Sequence, residues 1–223
     1  MKSRSPKMSV QLERLLPKRS WIPVAFVALF NLAGYCTINA LTDPANCHQL
    51  KLPLDDMIPF RPFFIVFYFL TFLQWAVNWV ITGRQEKSFC NRFAHADTIA
   101  KIICFICFIV YPTMIERPSV ETADFFTWLV NVTYWFDRHP VNLMPSIHVL
   151  GSWIAVRAAF RMKDVSWLYK AVNVLLCIMC CLSVVYVKQH YVIDVLTGIL
   201  VTEIGLAASK LMNNERFLWF KAE

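Results

Sequence analysis

The sequence predicts an all-α integral membrane protein, a bundle of about six helical spans of roughly 20 apolar residues each. Hydrophobic residues make up 57% of the 223 residues, and charged residues make up only 17%. The chain also carries 18 Phe and eight Trp, and aromatic rings are favoured at the headgroup depth of a bilayer. A water-soluble domain needs a larger polar shell than this, so the membrane class fits best.

The first half of the chain supplies three apolar runs separated by polar connections. The predicted spans are Trp21–Leu41, residues 62–82 and residues 98–115. The connection 42–61 is rich in Pro and Asp, and 83–97 is polar and basic. Irregular polar backbone cannot face lipid without hydrogen-bonding partners, so both connections are predicted outside the hydrocarbon. Pro112 is expected to bend the end of the third span.

The second half supplies three more predicted spans after a long interruption. These spans are residues 146–160, 169–187 and 191–209, the first of them short. A tight turn is expected at 161–166. Within the interruption 116–145, residues 124–135 are patterned like a short interfacial helix rich in Phe, Trp and Tyr, as amphipathic helices at membrane surfaces are.

The distribution of Lys and Arg predicts cytoplasmic N- and C-termini. With six spans, seventeen of the 22 Lys and Arg residues fall on one side, and the other side holds Lys51, Arg61, Arg117, Arg138 and Lys188. The richer side is normally cytoplasmic. A cleaved signal peptide would be an alternative for the first span, but its apolar run is long for one and no A-x-A site follows.

We divide the chain into a basic N-terminal arm (1–20), a six-span membrane catalytic domain (21–209) and a cytoplasmic tail (210–223). The net charge of +7 is spread between apolar runs without an aromatic-interleaved basic patch, so no nucleic-acid partner is expected. Most of the eight cysteines lie in apolar runs and are predicted to pack as small hydrophobes. Pairing of Cys36 with Cys47 stays open. The sequence does not predict an oligomeric state.

Polar residues from three separate segments are expected to converge at the outer end of the bundle. The residues concerned are Arg117 after the third span, Asn142, Ser146 and His148 around the start of the fourth, and Lys188, His190 and Asp194 between the fifth and sixth. His190 and Asp194 are four residues apart, so at a helix start they share one face. The carboxylate would then fix the imidazole tautomer and raise its basicity, as a histidine nucleophile or base requires. The simpler alternative is an interfacial His–Asp pair without catalytic function.

A second histidine and two cations favour phosphoryl chemistry. His148 lies in Met144-Pro-Ser-Ile-His148 at the same predicted membrane face, so two imidazoles can divide the acid and base roles. Arg117 and Lys188 are candidate donors to a phosphoryl group, whose charge has to be neutralised in the transition state.

Met144-Pro-Ser-Ile-His148 and His190-Tyr-Val-Ile-Asp194 resemble the second and third motifs of the type 2 phosphatidic acid phosphatase (PAP2) superfamily, and Glu116-Arg-Pro118 resembles the end of its first motif. The resemblance covers roughly residues 111–198, in the expected order and spacing. It implies a helical PAP2-like fold in which His190 attacks phosphorus, Asp194 activates it and His148 protonates the leaving group. It implies no metal and no cofactor, and a phosphorylated lipid substrate met at the extracytoplasmic or luminal side of the bilayer.

Two positions depart from the phosphatase motifs. Val110 stands where the first motif carries a lysine, and Ser183 is followed by Val184 where the third motif carries an arginine. This thinning, together with Asn142, is similar to the branch of inositol phosphorylceramide synthase and sphingomyelin synthase-like proteins. The set of His148, His190, Asp194 and Arg117 makes hydrolysis of a lipid phosphate or diphosphate the leading hypothesis. The departures at Val110 and Val184 make lipid headgroup transfer the alternative, and non-catalytic phospholipid binding is a third.

The remaining polar residues carry weaker expectations. Arg138 and His139 are loop residues that would contact a headgroup or only solvent. His48 and His95 are expected at the surface. Glu203 lies within the predicted bilayer, where a charge is costly unless it is paired or hydrated. Asn31, Asn78 and Asn173 are candidate partners, and the sequence does not select among them. The aromatic residues near 125–136 are expected to form an interfacial belt or a lateral gate for an acyl chain.

Overall fold

The computed structural model describes Glu13 and residues 16–218, and within these residues the fold is all-helical. The described part of the chain contains eight α-helices. In chain order, α1 to α8 are Trp21–Leu41, Pro53–Met57, Ile65–Arg84, Lys87–Val110, Phe125–Phe136, Ile147–Arg161, Trp167–Tyr186 and Val192–Ala208. The predicted all-α bundle is thus confirmed. Residues 1–12, 14 and 15 of the predicted N-terminal arm and 219–223 of the predicted tail lie outside the described residues.

Five of the described helices, α1, α3, α4, α7 and α8, are long and apolar enough to cross a membrane. The predicted fourth span is α6, which has 15 residues and is therefore about 22 Å long, shorter than a hydrocarbon core of roughly 30 Å. Helix α6 contacts α3, α4, α7 and α8. Its surroundings are therefore mostly protein, which is why a short helix with few lipid-facing residues suffices at this position.

The prediction that residues 83–97 form a polar connection was wrong, because α4 begins at Lys87. Hydropathy alone does not detect this start, since the first turns of α4 carry the polar residues Asn91, His95 and Asp97. All three are buried and have partners inside the protein. Asn91 donates to the backbone carbonyl of Asn214 at 2.9 Å, His95 contacts the Asn214 side chain, and Asp97 forms an ion pair with Lys101 at 2.7 Å. At its other end α4 stops at Val110 rather than continuing to 115, because Pro112 follows and lacks the N–H that would extend the helix.

His95 is buried, not exposed as predicted, and it holds the C-terminal segment against α4. Its Nδ1 lies 3.0 Å from Oδ1 of Asn214, and its Nε2 accepts a hydrogen bond from the backbone N–H of Leu218 at 3.2 Å. The ring also stacks on Phe217, with 5.1 Å between ring centroids. The beginning of the predicted tail is thus fixed to the bundle.

Glu203 is paired, although not with an asparagine. Its Oε1 accepts a hydrogen bond from Nε1 of Trp153 at 2.7 Å and forms an ion pair with Nε of Arg157 at 3.2 Å. Two of the expected partners are engaged elsewhere: Asn78 accepts from Tyr169, and Asn173 accepts from Gln74. The cost of a carboxylate in a span is therefore offset by a cation and an indole N–H from α6.

The eight cysteines carry no disulfide, and Cys36 and Cys47 are free thiols. Cys104, Cys177 and Cys180 are buried, consistent with the predicted packing role.

The long loops meet at one end of the bundle, where the candidate site lies. His48 and Thr113 form a parallel bridge, and Met114 and Val141 form an antiparallel one. The short helix predicted over 124–135 is present as α5, capped by Asp124, whose Oδ1 accepts from the N–H of Thr127 at 2.8 Å; its position at the membrane surface stays a prediction. This hydrogen bond lowers the pKa of the Asp124 carboxyl.

Replacing His95 with Ala is expected to release residues 213–218 from α4. Two hydrogen bonds and one ring stack are lost, and each buried group left without a partner costs about 1–3 kcal/mol. Hydrogen–deuterium exchange measured by mass spectrometry on the detergent-solubilised protein should show faster exchange of the Leu218 amide. His48→Ala is the matched control, because that residue is exposed and its ring stacks on Tyr111, away from the C-terminal segment. Equal exchange in wild type and His95→Ala would contradict the assignment.

Candidate active site

Two histidines from different segments meet at the end of the bundle where α6 and α8 begin. His148 is the second residue of α6, and His190 lies in the turn between α7 and α8. Nδ1 of His148 is 3.2 Å from Nε2 of His190, with 5.4 Å between ring centroids. His190 is buried. Rings at this distance can exchange a proton directly or through a group inserted between them.

Asp194 fixes the orientation of the His190 ring. It stands in the first turn of α8, where its Oδ2 accepts from the N–H of Tyr191 at 2.9 Å and lies 3.3 Å from Nδ1 of His190. A carboxylate at Nδ1 favours the tautomer that carries the proton there. The lone pair of Nε2 is then directed toward His148, as a histidine nucleophile or base requires.

Helices α6 and α8 are joined where these residues lie. The backbone N–H of Ser146, which caps α6, donates to the carbonyl of Asp194 at 3.0 Å. One turn later on α8, Gly198 allows this approach, since a Cβ there would stand 2.7 Å from the carbonyl oxygen of Ser146. Ser146 is buried, and its hydroxyl accepts from the N–H of Val149. The structure therefore places Ser146 as a helix cap behind the histidines.

A cavity of about 280 Å³ opens beside the histidine pair. One wall is aromatic: the ring centroids of Tyr68, Trp75 and Phe72 lie 4.8, 5.9 and 5.8 Å from that of His148. Besides the histidines, the polar side chains that line the cavity are those of Asn31, Tyr35, Tyr68, Trp75, Asp137, Asn142 and Gln189. Of the predicted binding residues, Asn142 is thus beside the histidines. It adopts a left-handed backbone conformation with φ of 62°, and its amide bonds to the hydroxyl of Thr42 at 2.9 Å.

Arg117 does not line the cavity, but it contacts Asp137 and Gln189, which do. Its guanidinium donates to the backbone carbonyl and the carboxylate of Asp137, and to Oε1 of Gln189 at 2.6 Å. The same group lies 4.6 Å from the ring centroid of Tyr134. Asp137 also accepts from the hydroxyl of Tyr35 at 3.2 Å. Arg117 is therefore next to the site, but a carboxylate now neutralises it.

Lys188 is not brought to the histidines. Its ammonium donates to the carbonyl of Ile58 at 2.6 Å and to that of Asp55 at 3.4 Å. It lines a separate cavity of about 470 Å³, which Arg117 also borders. Burial lowers the pKa of Lys188, and the neighbouring Asp55 partly opposes this shift. Arg138 is exposed and does not line the histidine cavity.

The sequence reasoning did not identify three residues that shape this site, namely Tyr35, Asp137 and Gln189. Tyr35 and Asp137 are 102 residues apart, and no local pattern connects them. Gln189 precedes the candidate nucleophile, and its Nε2 is buried without a hydrogen-bond partner among the described residues. A buried amide donor without an acceptor is costly, so it suits a ligand oxygen.

The part of the chain that the structure describes contains no group of three or more His, Cys, Asp or Glu side chains that could hold a metal ion. The predicted metal-free mechanism stays a prediction.

Sequence comparisons show which known proteins the chain is similar to. The model of the PAP2 superfamily matches residues 57–208. A similar protein, the uncharacterized protein MJ0662 of Methanocaldococcus jannaschii, is 24% identical over 199 residues, which cover 84% of this chain and 81% of the relative. No solved structure matches the chain.

For the lipid-phosphate hydrolysis that the sequence predicts, Arg117→Lys is expected to reduce kcat/KM almost as much as Arg117→Ala, about 10- to 100-fold. A guanidinium can bind Asp137 and Gln189 together through its fork, whereas an ammonium cannot reproduce that planar geometry. Arg61→Lys is the matched control, since Arg61 does not line the histidine cavity. Full activity of Arg117→Lys would show that only the positive charge is needed.

Proposed function

The chain belongs to the PAP2 superfamily, and on that basis we propose that this integral membrane protein is a metal-independent lipid-phosphate or diphosphate phosphatase that forms a phosphohistidine. The observation that carries the proposal is the line of three groups, in which Asp194 Oδ2 is 3.3 Å from His190 Nδ1 and His190 Nε2 is 3.2 Å from His148 Nδ1. A carboxylate-backed imidazole facing a second imidazole supplies a nucleophile and a general acid.

In the first step, Nε2 of His190 attacks phosphorus and the bond from phosphorus to the leaving oxygen breaks. Protonated His148 donates its proton to that oxygen and becomes neutral. Asp194 stabilises the positive charge that develops on the His190 ring, as a buried carboxylate does for other catalytic histidines. In this proposal Gln189 donates from its buried Nε2 to a phosphoryl oxygen, and Arg117 behind it holds Gln189 and adds positive charge near the developing anion.

In the second step, neutral His148 takes a proton from a water molecule, whose oxygen attacks the phosphohistidine. The nitrogen–phosphorus bond breaks, inorganic phosphate leaves, and His190 returns to its starting form. His148 therefore acts as acid in one step and base in the other.

The walls of the cavity support a lipid as the substrate class. Leu32, Phe72 and Phe136 line it and are also exposed on the outside of the bundle. An acyl or prenyl chain can therefore cover apolar surface while its phosphate reaches the histidines. The Lys and Arg distribution supports a non-cytoplasmic location for this end of the bundle.

His190→Ala is expected to abolish phosphate release from phosphatidic acid, and His148→Ala to slow it about 10²- to 10⁴-fold, the usual contribution of a general acid. Release is measured without added metal in detergent micelles, with His48→Ala as the histidine control. Labelled substrate should leave a phosphoryl group on the wild-type protein that survives alkali and is lost in acid, as a phosphorus–nitrogen bond is. Undiminished turnover by His190→Ala would remove the proposed nucleophile.

Headgroup transfer is the second candidate function, favoured by the two positions that depart from the phosphatase motifs. Val184 is fully buried in an apolar cluster with Tyr68 and Val149, and Val110 is exposed at the end of α4. Neither position supplies a cation to the phosphoryl group. A lipid hydroxyl in place of water in the second step would transfer the phosphoryl-bearing group instead of releasing it.

Mass spectrometry of the products separates the two reactions. With labelled donor lipid and an added hydroxyl-bearing acceptor lipid, a phosphatase is expected to yield free phosphate in the same amount with or without acceptor. Transfer would instead yield the acceptor carrying the labelled group, in proportion to acceptor concentration. His190→Ala, which should yield neither product, is the control for non-enzymatic exchange.

A further inference from the structure

A third cavity, also polar, lies at the opposite end of the bundle from the histidines. It has a volume of about 370 Å³ and is lined by Arg19, Arg84, Gln85, Glu86, Phe89, Arg161, Lys163 and Asp164. Its position follows from α6, which has His148 in its first turn and Arg161 as its last residue. Thirteen residues of helix separate these positions by about 20 Å. The cavity therefore lies where α3 and α6 end and α4 begins.

The charge of this cavity is not balanced. Four cationic side chains line it, against only the two acids Glu86 and Asp164. No ion pair among the described residues joins those cations to those acids. By contrast, Arg157 one turn earlier on α6 is neutralised by Glu203. An excess of two positive charges around one cavity suits a ligand with about two negative charges.

Two of the arginines are held in place without an ion pair to any acid in the described part of the chain. Arg19 donates through Nη2 to the backbone carbonyls of Gln85 at 3.2 Å and Arg84 at 3.5 Å, so its guanidinium is fixed at the end of α3. The Arg161 guanidinium lies 5.9 Å from the ring centroid of Phe93. Its Nη1 is buried without a hydrogen-bond partner among the residues that the structure describes. Positioned guanidinium groups with donors left over are typical of sites that bind phosphate oxygens.

The positive-inside pattern alone does not require this arrangement. It is satisfied by scattered, solvated Lys and Arg side chains, such as the exposed Lys210 at the same end of the bundle. By contrast, this cavity brings together cationic residues from before α1, from the end of α3 and from around the end of α6. Orientation in the membrane alone would not require them to share one cavity.

We propose that this cavity is a second anion site, which binds a phosphate monoester group and is separate from the histidines. A phosphate monoester carries about −1.5 to −2 charge and three acceptor oxygens at neutral pH, which matches the unpaired cations in charge and in donor number. A carboxylate ligand would leave one positive charge uncompensated. The phosphate comes either from a lipid headgroup in the adjacent leaflet or from a soluble compound, and the chemistry at the cavity is the same.

The test uses the full chain with His190→Ala, so that phosphate or lipid bound elsewhere is not turned over. Inorganic phosphate is titrated by calorimetry, and retention of phosphatidic acid against phosphatidylcholine is measured by native mass spectrometry. In that background, Arg161→Gln and the double variant Arg84→Gln, Lys163→Gln are expected to weaken binding about tenfold or more, the effect of losing charge-assisted hydrogen bonds. Lys210→Gln, which removes one charge outside the cavity, should leave binding within about twofold.

The outcomes separate the two sources of phosphate. Loss of phosphatidic acid retention alone supports the site with a lipid ligand, loss of inorganic phosphate binding alone supports it with a soluble ligand, and loss of both supports it for either. Unchanged binding in the cavity variants, or an equal loss in Lys210→Gln, overturns the proposal. The double variant alters two exposed side chains, so it decides the question even where Arg161→Gln does not fold.

Discussion

The candidate site depends on one backbone hydrogen bond, from the N–H of Ser146 to the carbonyl of Asp194. It joins the start of α6 to the first turn of α8, and Gly198 lets the two backbones approach closely enough to form it. His148 follows Ser146 by two residues and His190 precedes Asp194 by four, so this contact sets the separation of the imidazoles. Reactions of this kind are sensitive to errors of about 1 Å. A hydrogen bond between main-chain groups of two buried residues is a stable way to hold that distance.

The candidate site is not a simple cationic pocket, because its two predicted cations are already engaged by groups of the protein. Arg117 is paired with Asp137, which also accepts from Tyr35, and Lys188 is occupied by the carbonyls of Ile58 and Asp55. The Arg117 side chain is buried, and a buried cation is costly without a counterion. The carboxylate of Asp137 therefore stabilises Arg117 at this position, and Arg117 in turn fixes Gln189, which lines the histidine cavity.

Much of the bundle is predictable from hydropathy, because lipid-facing helices must be apolar over a length fixed by the bilayer. The rule fails for the first turns of α4, where polar side chains such as His95 and Asp97 are satisfied inside the protein. At the site, the His190–Asp194 pair is predictable since four residues make one helical turn. Asp137 is not, because its partners come from distant segments. Lys188 was predicted at the histidines on sequence proximity, but it lies in a left-handed turn, with φ of 51°, and its ammonium bonds to the carbonyls of the 53–58 segment.

The described histidines show why burial and hydrogen bonding alone do not identify a catalytic residue. His95 and His190 are both buried, and each has a partner at both ring nitrogens. The partners of His95 are an amide side chain and a backbone N–H, which neither titrate nor move without loosening the C-terminal segment. The partners of His190 are a carboxylate and a second imidazole that borders a cavity. A proton can pass to that imidazole, and a ligand can take its place beside Nε2. The chemistry is therefore set by what the second nitrogen contacts.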